Sequence, residues 1–209
     1  MILFIARQLL LPALLLVLIS MPGGLTAVHA YNAVIIDAGH GGKDRGGISG
    51  QRIAEKDCTL DVALRLGPLL KKMGYRVHFT RTTDVFVDLE DRASFGNSIP
   101  NSVFVSIHFD SINDSSKDGI TIFYMGEESQ TYASYVHTRM REALAPRTDR
   151  GLKPARWRVL RKVKGPSILI EGGFLTNPTE AARIMKPAYR QAMAEAIAKG
   201  IQDFCRNAR

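Results

Sequence analysis

The chain has 209 residues and a formal net charge of +8 at pH 7, and this length is enough for one domain with a full hydrophobic core. Its two cysteines, Cys58 and Cys205, are too few for a disulfide-stabilised scaffold, and we expect them to stay unpaired. The sequence has no internal repeat, low-complexity linker or second zone of composition. A protein this basic is expected to meet a polyanion.

Residues 1–30 have the pattern of a secretory signal peptide. Arg7 is their only charged residue, an apolar run covers residues 9–19, and small residues precede a cleavage point after Ala30. The alternative is a retained membrane anchor, but the apolar run contains Pro12 and is shorter than the ~20 residues that span a bilayer. We therefore predict cleavage.

Cleavage leaves residues 31–209 as one exported domain in the periplasm or cell envelope, with a net charge of +7 (8 − 1, for Arg7). No other stretch is long and apolar enough to cross a bilayer, so we expect no stable membrane insertion of the mature chain. Export argues against nucleic acid as the polyanion and favours an anionic wall polymer or lipid head groups.

From residue 34 onward, the apolar patterns alternate between strands and helices. Strands are predicted at residues 34–36, 76–80, 102–107, 120–124, 157–160 and 167–170. Helices are predicted between Asp57 and Gly74 and at residues 88–98, 129–144 and 179–204, the last interrupted or restarted around Pro187. This alternation predicts a single α/β domain with a mostly parallel or mixed sheet of about six strands, flanked by helices on both faces.

A basic cluster surrounds the predicted strand at residues 157–160, which we expect at an edge of the sheet. Its members are Arg156, Arg158, Arg161, Lys162 and Lys164. One explanation is that these charges protect the edge from pairing with another chain. The other is attraction to an anionic envelope polymer, which high salt should weaken.

Three polar side chains follow buried strands at the point where each strand is predicted to end. His40 lies on a glycine-rich turn after the first strand, His108 follows the strand at 102–107, and Glu171 follows the last strand. Because ligands bind at the carboxyl ends of strands in sheets of this kind, these side chains are expected to meet in one crevice.

Two histidines that converge with carboxylates suggest a divalent metal, and zinc accepts imidazole nitrogen and carboxylate oxygen. Glu55 and Glu171 compete for the carboxylate position, and the other carboxylate would transfer protons off the metal. The alternative reading makes Glu55 a solvated carboxylate in the first turn of a helix. His78 and His137, within a strand and on a helix, are read as structural.

At these residues the sequence resembles the zinc-dependent N-acetylmuramoyl-L-alanine amidases, cell-wall hydrolases of the "amidase 3" type. The resemblance is carried by six segments in family order, and it covers essentially the whole mature chain. The segments are residues 36–44 (IDAGHGGKD), 55–57 (EKD), 80–84 (TRTTD), 89–93 (LEDRA), 104–108 (FVSIH) and 171–178 (EGGFLTNP).

The resemblance implies a role for each of the four site residues. His40, Glu55 and His108 are expected to bind Zn²⁺, and Glu171 is expected to be the catalytic residue. The implied reaction is hydrolysis of the amide between N-acetylmuramic acid and L-alanine of the peptidoglycan stem peptide. Two alternatives remain: a non-catalytic metal-containing peptidoglycan-binding module, and a zinc peptidase that cuts the stem peptide itself.

The chain departs from the family pattern after the second histidine, where Phe109 and Asp110 replace the common Ala-Asn. This change is expected to add bulk and negative charge beside the metal.

Residues 126–150 leave room for only one ordinary helix, so we predict an open site without the inhibitory helix of some family members. A cell-wall or division-associated activator protein is a possible partner. Arg81 and Arg92 also lie in family motifs, and we assign catalysis to neither. Arg92 could hold a helix to the sheet by ion pairing or reach a stem-peptide carboxylate, and we favour the structural role.

Overall fold

The computed structural model describes residues 30–208, which form a six-stranded mixed sheet with helices on both faces. The predicted signal peptide lies almost entirely outside the described residues. The strands are β1 (Ala33–Ala38), β2 (Arg76–Phe79), β3 (Ser102–Asp110), β4 (Ile120–Tyr124), β5 (Asp149–Pro154) and β6 (Ser167–Phe174). They lie in the order β2-β1-β3-β6-β4-β5, with β4 antiparallel to β6 and all other neighbours parallel.

Six helices of the described residues cover this sheet, and the predicted fold class is therefore confirmed. The helices are α1 (Glu55–Lys72), α2 (Leu89–Ser98), α3 (Glu127–Leu144), α4 (Arg158–Lys162), α5 (Pro178–Ile184) and α6 (Pro187–Asn207). Helix α6 packs against both α1 and α3 on one face, whereas α2 and α4 pack together on the other. No helix within residues 30–208 has both the length and the apolarity that a membrane crossing requires.

The two faces of the sheet bury two separate cores. Val34 and Ile36 of β1 belong to the larger core under α1, α3 and α6, whereas Ile35 belongs to the smaller core under α2 and α4. Successive side chains of a strand point to opposite faces, so a strand that is covered on both sides must be apolar at consecutive positions. This requirement explains the continuous apolar run of β1.

The predicted edge strand at residues 157–160 is wrong, because this segment contains the start of α4. Val159, Leu160 and Val163 are buried, and this i, i+1, i+4 spacing places them on one face of a helix. The strands at the two edges of the sheet are β2 and β5, and the sequence did not predict β5. Its sequence, DRGLKP, has little strand character, and Pro154 is tolerated there because an edge strand has one side without a partner strand.

The basic cluster therefore flanks α4 and is not on a strand, so protection of a sheet edge does not explain it. Arg156, Arg161, Lys162 and Lys164 are exposed. Arg158 is exposed as well and forms an ion pair with Glu90 of α2. Attraction to an anionic polymer remains a prediction for this cluster.

Several predicted boundaries shift. Helix α1 begins at Glu55, two residues before the predicted start at Asp57. Both cysteines are buried and free, as expected. Strands β3 and β6 continue beyond their predicted ends, so His108 and Glu171 lie within strands. The last helical region consists of two helices, α5 and α6, and α6 begins at Pro187.

A buried ion pair joins α2 to the end of β1. Arg92 Nη1 lies 2.7 Å from Asp37 Oδ1, and both side chains are almost fully buried. Hydroxyl groups of Thr80 and Ser106 also donate hydrogen bonds to Asp37, each at 2.7 Å. Burial by itself raises the pKa of Asp37, but the Arg92 charge and these two hydrogen bonds hold it below its usual value. The expected structural role of Arg92 is confirmed.

We predict that Asp37→Asn lowers the free energy of unfolding by about 3–5 kcal/mol, because it leaves the Arg92 charge buried without its partner. Denaturant-induced unfolding measures this change. The control is Glu142→Gln, which breaks an exposed ion pair with Arg139 and should leave the free energy of unfolding almost unchanged. Equal effects of the two substitutions would contradict the assigned role of the buried pair.

The same carboxylate predicts a dependence of stability on pH. Its pKa is lower in the folded protein than the ordinary 3.8, so the stabilisation is fully present above pH ~4 and is lost as the pH falls through the folded-state value. Between neutral and strongly acidic pH, the free energy of unfolding should therefore decline less steeply for Asp37→Asn than for the wild type, as unfolding curves at several pH values can measure. Identical acid slopes would overturn this prediction.

Candidate functional site

The turn that follows β1 holds His40 in a left-handed backbone conformation, with φ of 60°. The carbonyl oxygen of His40 accepts a hydrogen bond from Arg92 Nη2 at 2.7 Å. The turn also passes close to its neighbours, because a Cβ atom on Gly39 would overlap the His108 ring. A non-glycine residue held with positive φ beside such a contact is typical of functional sites.

Arg81 supports the same turn from the end of β2. Its guanidinium group donates hydrogen bonds to the carbonyl oxygens of Ala38 at 2.9 Å and Gly39 at 2.8 Å. It is almost fully buried, and its contacts there are with backbone oxygens and the Thr59 hydroxyl. These contacts give Arg81 a structural role in the turn.

Glu55 is the first residue of α1 and lies between the two histidines. His40 Nε2 lies 3.0 Å from its Oε2, and His108 Nδ1 lies 2.9 Å from its Oε1. The backbone N–H of Phe109 donates a further hydrogen bond to Oε1 at 2.9 Å. Burial raises the pKa of Glu55, but the hydrogen bonds from His108 and His40 outweigh it and bring the value to about 2.

One potential ligand atom from each of His40, Glu55 and His108 lies within 4.8 Å of the other two. The imidazole rings meet edge to face, with 4.8 Å between centroids. Asp44 Oδ2 lies 2.9 Å from His40 Nδ1 and orients that ring. Two imidazole nitrogens and a carboxylate oxygen are a donor set that suits zinc, and they leave a coordination position open.

Glu171 lies outside this cluster, on the neighbouring strand. It pairs in register with His108 across β3 and β6, and 8% of its surface is exposed. Its Oε2 atom is buried and has no hydrogen-bond partner in the described part of the chain. Burial, followed by the negative charges of Glu55 and Asp110, raises the pKa of Glu171 well above its usual value.

All four side chains singled out from the sequence line one cavity of about 590 Å³. The two other histidines within the described residues are remote from this cavity, as expected. His137 lies 2.7 Å from Asp149, and His78 lies in β2.

Phe109 is among the residues that line the cavity, but its ring does not place the expected bulk beside the histidines. The side chain is buried in the larger core, because alternation along β3 turns it to the face opposite His108. Asp110 also lines the cavity, and burial raises its pKa above the usual value.

Sequence reasoning missed the contacts of Asp44 and the position of Trp157 in the cavity wall. The signals for Asp44 were its place in the first family segment, residues 36–44, and its spacing of four residues after His40.

Comparisons with known proteins show which family the chain resembles. A family model described as N-acetylmuramoyl-L-alanine amidase matches residues 34–203. A Staphylococcus epidermidis protein named "Probable cell wall amidase LytH" is 33% identical over 173 residues, which are 82% of this chain and 57% of that protein. The chain therefore spans just over half the length of that curated relative.

Two solved structures share the fold over nearly their whole length. The N-acetylmuramoyl-L-alanine amidase from Clostridium difficile 630 has a TM-score of 0.81 and 33% identity, with 86% of this chain and 100% of that chain covered. The CwlD amidase from Clostridioides difficile, solved in complex with the GerS lipoprotein, has a TM-score of 0.78 and 28% identity, with 83% and 98% covered. Because the family model matches most of the chain, this protein belongs to the N-acetylmuramoyl-L-alanine amidase family.

Proposed function

We propose that this protein is a zinc-dependent amidase that hydrolyses the amide bond between N-acetylmuramic acid and L-alanine of the peptidoglycan stem peptide. Membership of the family supports the reaction and the substrate. The observation that carries the mechanism is the pairing of a two-histidine, one-glutamate cluster with the separate, buried and unpartnered carboxyl group of Glu171 in one cavity.

In this proposal His40, Glu55 and His108 hold the zinc ion. Bound zinc would polarise the scissile carbonyl group and lower the pKa of water to ~7. The low pKa of Glu55, about 2, keeps this carboxylate ionised at neutral pH and ready to bind a cation. Asp44 keeps the His40 ring in its orientation.

Glu171 moves the protons. Its carboxyl group takes a proton from the attacking water and delivers it to the nitrogen of the leaving L-alanine. The transfer matters because an amide anion is a very poor leaving group. Burial and the two neighbouring carboxylates raise the pKa of Glu171, and this shift favours a group that holds a proton between the two steps.

We also propose that the protein acts outside the cytoplasm, in the periplasm or cell envelope, after removal of residues 1–30. The names of its relatives, which include a cell wall amidase, support this location. Nucleic acid is not among the proposed partners. The exposed basic residues around α4 would add attraction to anionic wall polymers or lipid head groups.

We propose that the site works without a partner protein. The side chains of His40 and His108 are 21% and 19% exposed, so solvent reaches the cluster. A wall- or division-associated activator is the competing proposal, and the complex of CwlD with the GerS lipoprotein supports it by analogy. Activity of the purified protein by itself on purified peptidoglycan would favour the first proposal, and a requirement for a partner would favour the second.

We predict that the purified protein releases peptide from peptidoglycan, that a chelator stops the release and that added zinc restores it. The glycan should stay intact and new amino termini should be those of L-alanine, because only the amide to the sugar is cut. Analysis of the released fragments checks both points. Cleavage within the stem peptide would identify a peptidase, and zinc-loaded protein that binds without release would identify a binding module.

We predict different consequences for the two glutamates. Glu171→Gln should lower kcat about 10²–10⁴-fold and leave the zinc content unchanged, because this residue lies outside the cluster. Glu55→Gln should lower the zinc content and the activity together. The matched control is Glu195→Gln, an exposed position on α6. Activity rates and metal analysis of the purified variants measure these effects, and loss of zinc from Glu171→Gln would reverse the assignment.

A further inference from the structure

One side of the cavity is apolar, and its lining residues remain exposed. Phe86, Leu89 and Trp157, which we call the apolar shelf, line the cavity and are 44%, 50% and 41% exposed. The ion pair between Glu90 and Arg158 joins the two segments that carry them. Large apolar side chains that stay exposed at the mouth of a cavity are typical of ligand contacts.

Trp157 has contacts through both its ring and its backbone. Its ring packs on Phe123, with 4.2 Å between centroids and planes tilted by 35°. It also occupies the N-cap position of α4, where its carbonyl oxygen accepts a hydrogen bond from the N–H of Arg161 at 2.9 Å. The indole ring is therefore fixed in orientation while 41% of the residue stays open to solvent.

The candidate metal ligands and their charged neighbours line the cavity from segments other than those of the shelf. His40, Asp44 and Glu55 come from the glycine-rich loop and the start of α1, and His108 and Asp110 come from β3. The cavity thus combines exposed apolar side chains of one pair of segments with the candidate metal ligands of another. A substrate that joins two chemically different parts at the bond to be cut fits such a division.

We propose that Trp157 is a stacking platform for a sugar ring of the peptidoglycan glycan, a ligand whose identity rests on the proposed function. One face of a pyranose ring presents mainly C–H groups, and these pack well on the electron-rich face of an indole. The first residue of the stem peptide, L-alanine, offers only a methyl group and no flat apolar face. The shelf therefore fits the sugar side of the scissile amide, and Trp157 is a positioning residue.

Trp157 is the only tryptophan of the chain, so its fluorescence reports on this contact directly. We expect peptide-free glycan strands, prepared from peptidoglycan, to shift or quench the emission of the full wild-type protein in a saturable way. Free stem peptide at the same concentrations should leave the emission unchanged. A change with peptide but not with glycan would overturn the proposal.

Kinetics on soluble glycan fragments that carry stem peptides provide the second test. Trp157→Ala should raise KM about tenfold with kcat nearly unchanged, whereas Trp157→Phe should restore most of the affinity because it keeps an aromatic face. The control is Leu64→Ala, which removes an equally exposed side chain on α1 (43% exposed) outside the cavity and should leave KM unchanged. A kcat effect without a KM effect, or no rescue by phenylalanine, would overturn the stacking role.

The two proposals fail in different ways. If glycan changes the fluorescence but neither the wild-type protein nor any variant releases peptide, the sugar-stacking role of Trp157 is supported and the amidase function is contradicted. The opposite result is that wild-type protein releases peptide, glycan leaves the emission unchanged and Trp157→Ala has a normal KM. It would support the amidase function and contradict the sugar-stacking role. Because the fluorescence test uses wild-type protein, it gives an answer even where Trp157→Ala does not fold.

Discussion

The buried pair of Asp37 and Arg92 holds together the part of the molecule on which the site depends. An isolated charge is costly inside a protein, so each partner is tolerable only because the other is present and hydrogen bonds satisfy the remaining atoms. Arg92 also donates to the carbonyl oxygens of Ala38 and His40 at 2.7 Å each. A single side chain of α2 thereby sets the position of that helix, the end of β1 and the turn that presents His40.

The two glutamates of the site show how equal burial leads to opposite chemistry. Both are nearly buried, and for both the loss of solvent is the largest influence on the pKa and raises it. Glu55 receives hydrogen bonds from two histidines, which stabilise its charge, whereas Glu171 faces the charges of Glu55 and Asp110. The pKa of one carboxyl group is thus lowered beside the histidines and that of the other is raised, and the proposed mechanism uses this difference for metal binding and proton transfer.

The layers of the fold also explain why the cavity has two chemically different kinds of lining. Its candidate metal ligands and their charged neighbours come from the glycine-rich loop, the start of α1 and the end of β3, and its apolar shelf comes from the start of α2 and the residues that precede α2 and α4. The smaller core beneath α2 and α4 holds those helices to the sheet. The pair Glu90–Arg158 joins their exposed ends, so the shelf has a fixed position relative to the histidines.

The sequence by itself determined the fold class, because apolar runs of strand and helix length are local patterns. It also singled out the four candidate site residues, but their spacing left open which glutamate joins the histidines, and only the family resemblance favoured Glu55. Tertiary structure decided this through strand register, which sets Glu171 beside His108, and through the start of α1, which sets Glu55 between the rings. It also decided the helical state of α4 and the inward turn of Phe109, because a short apolar run fits a strand or a helix until packing selects one.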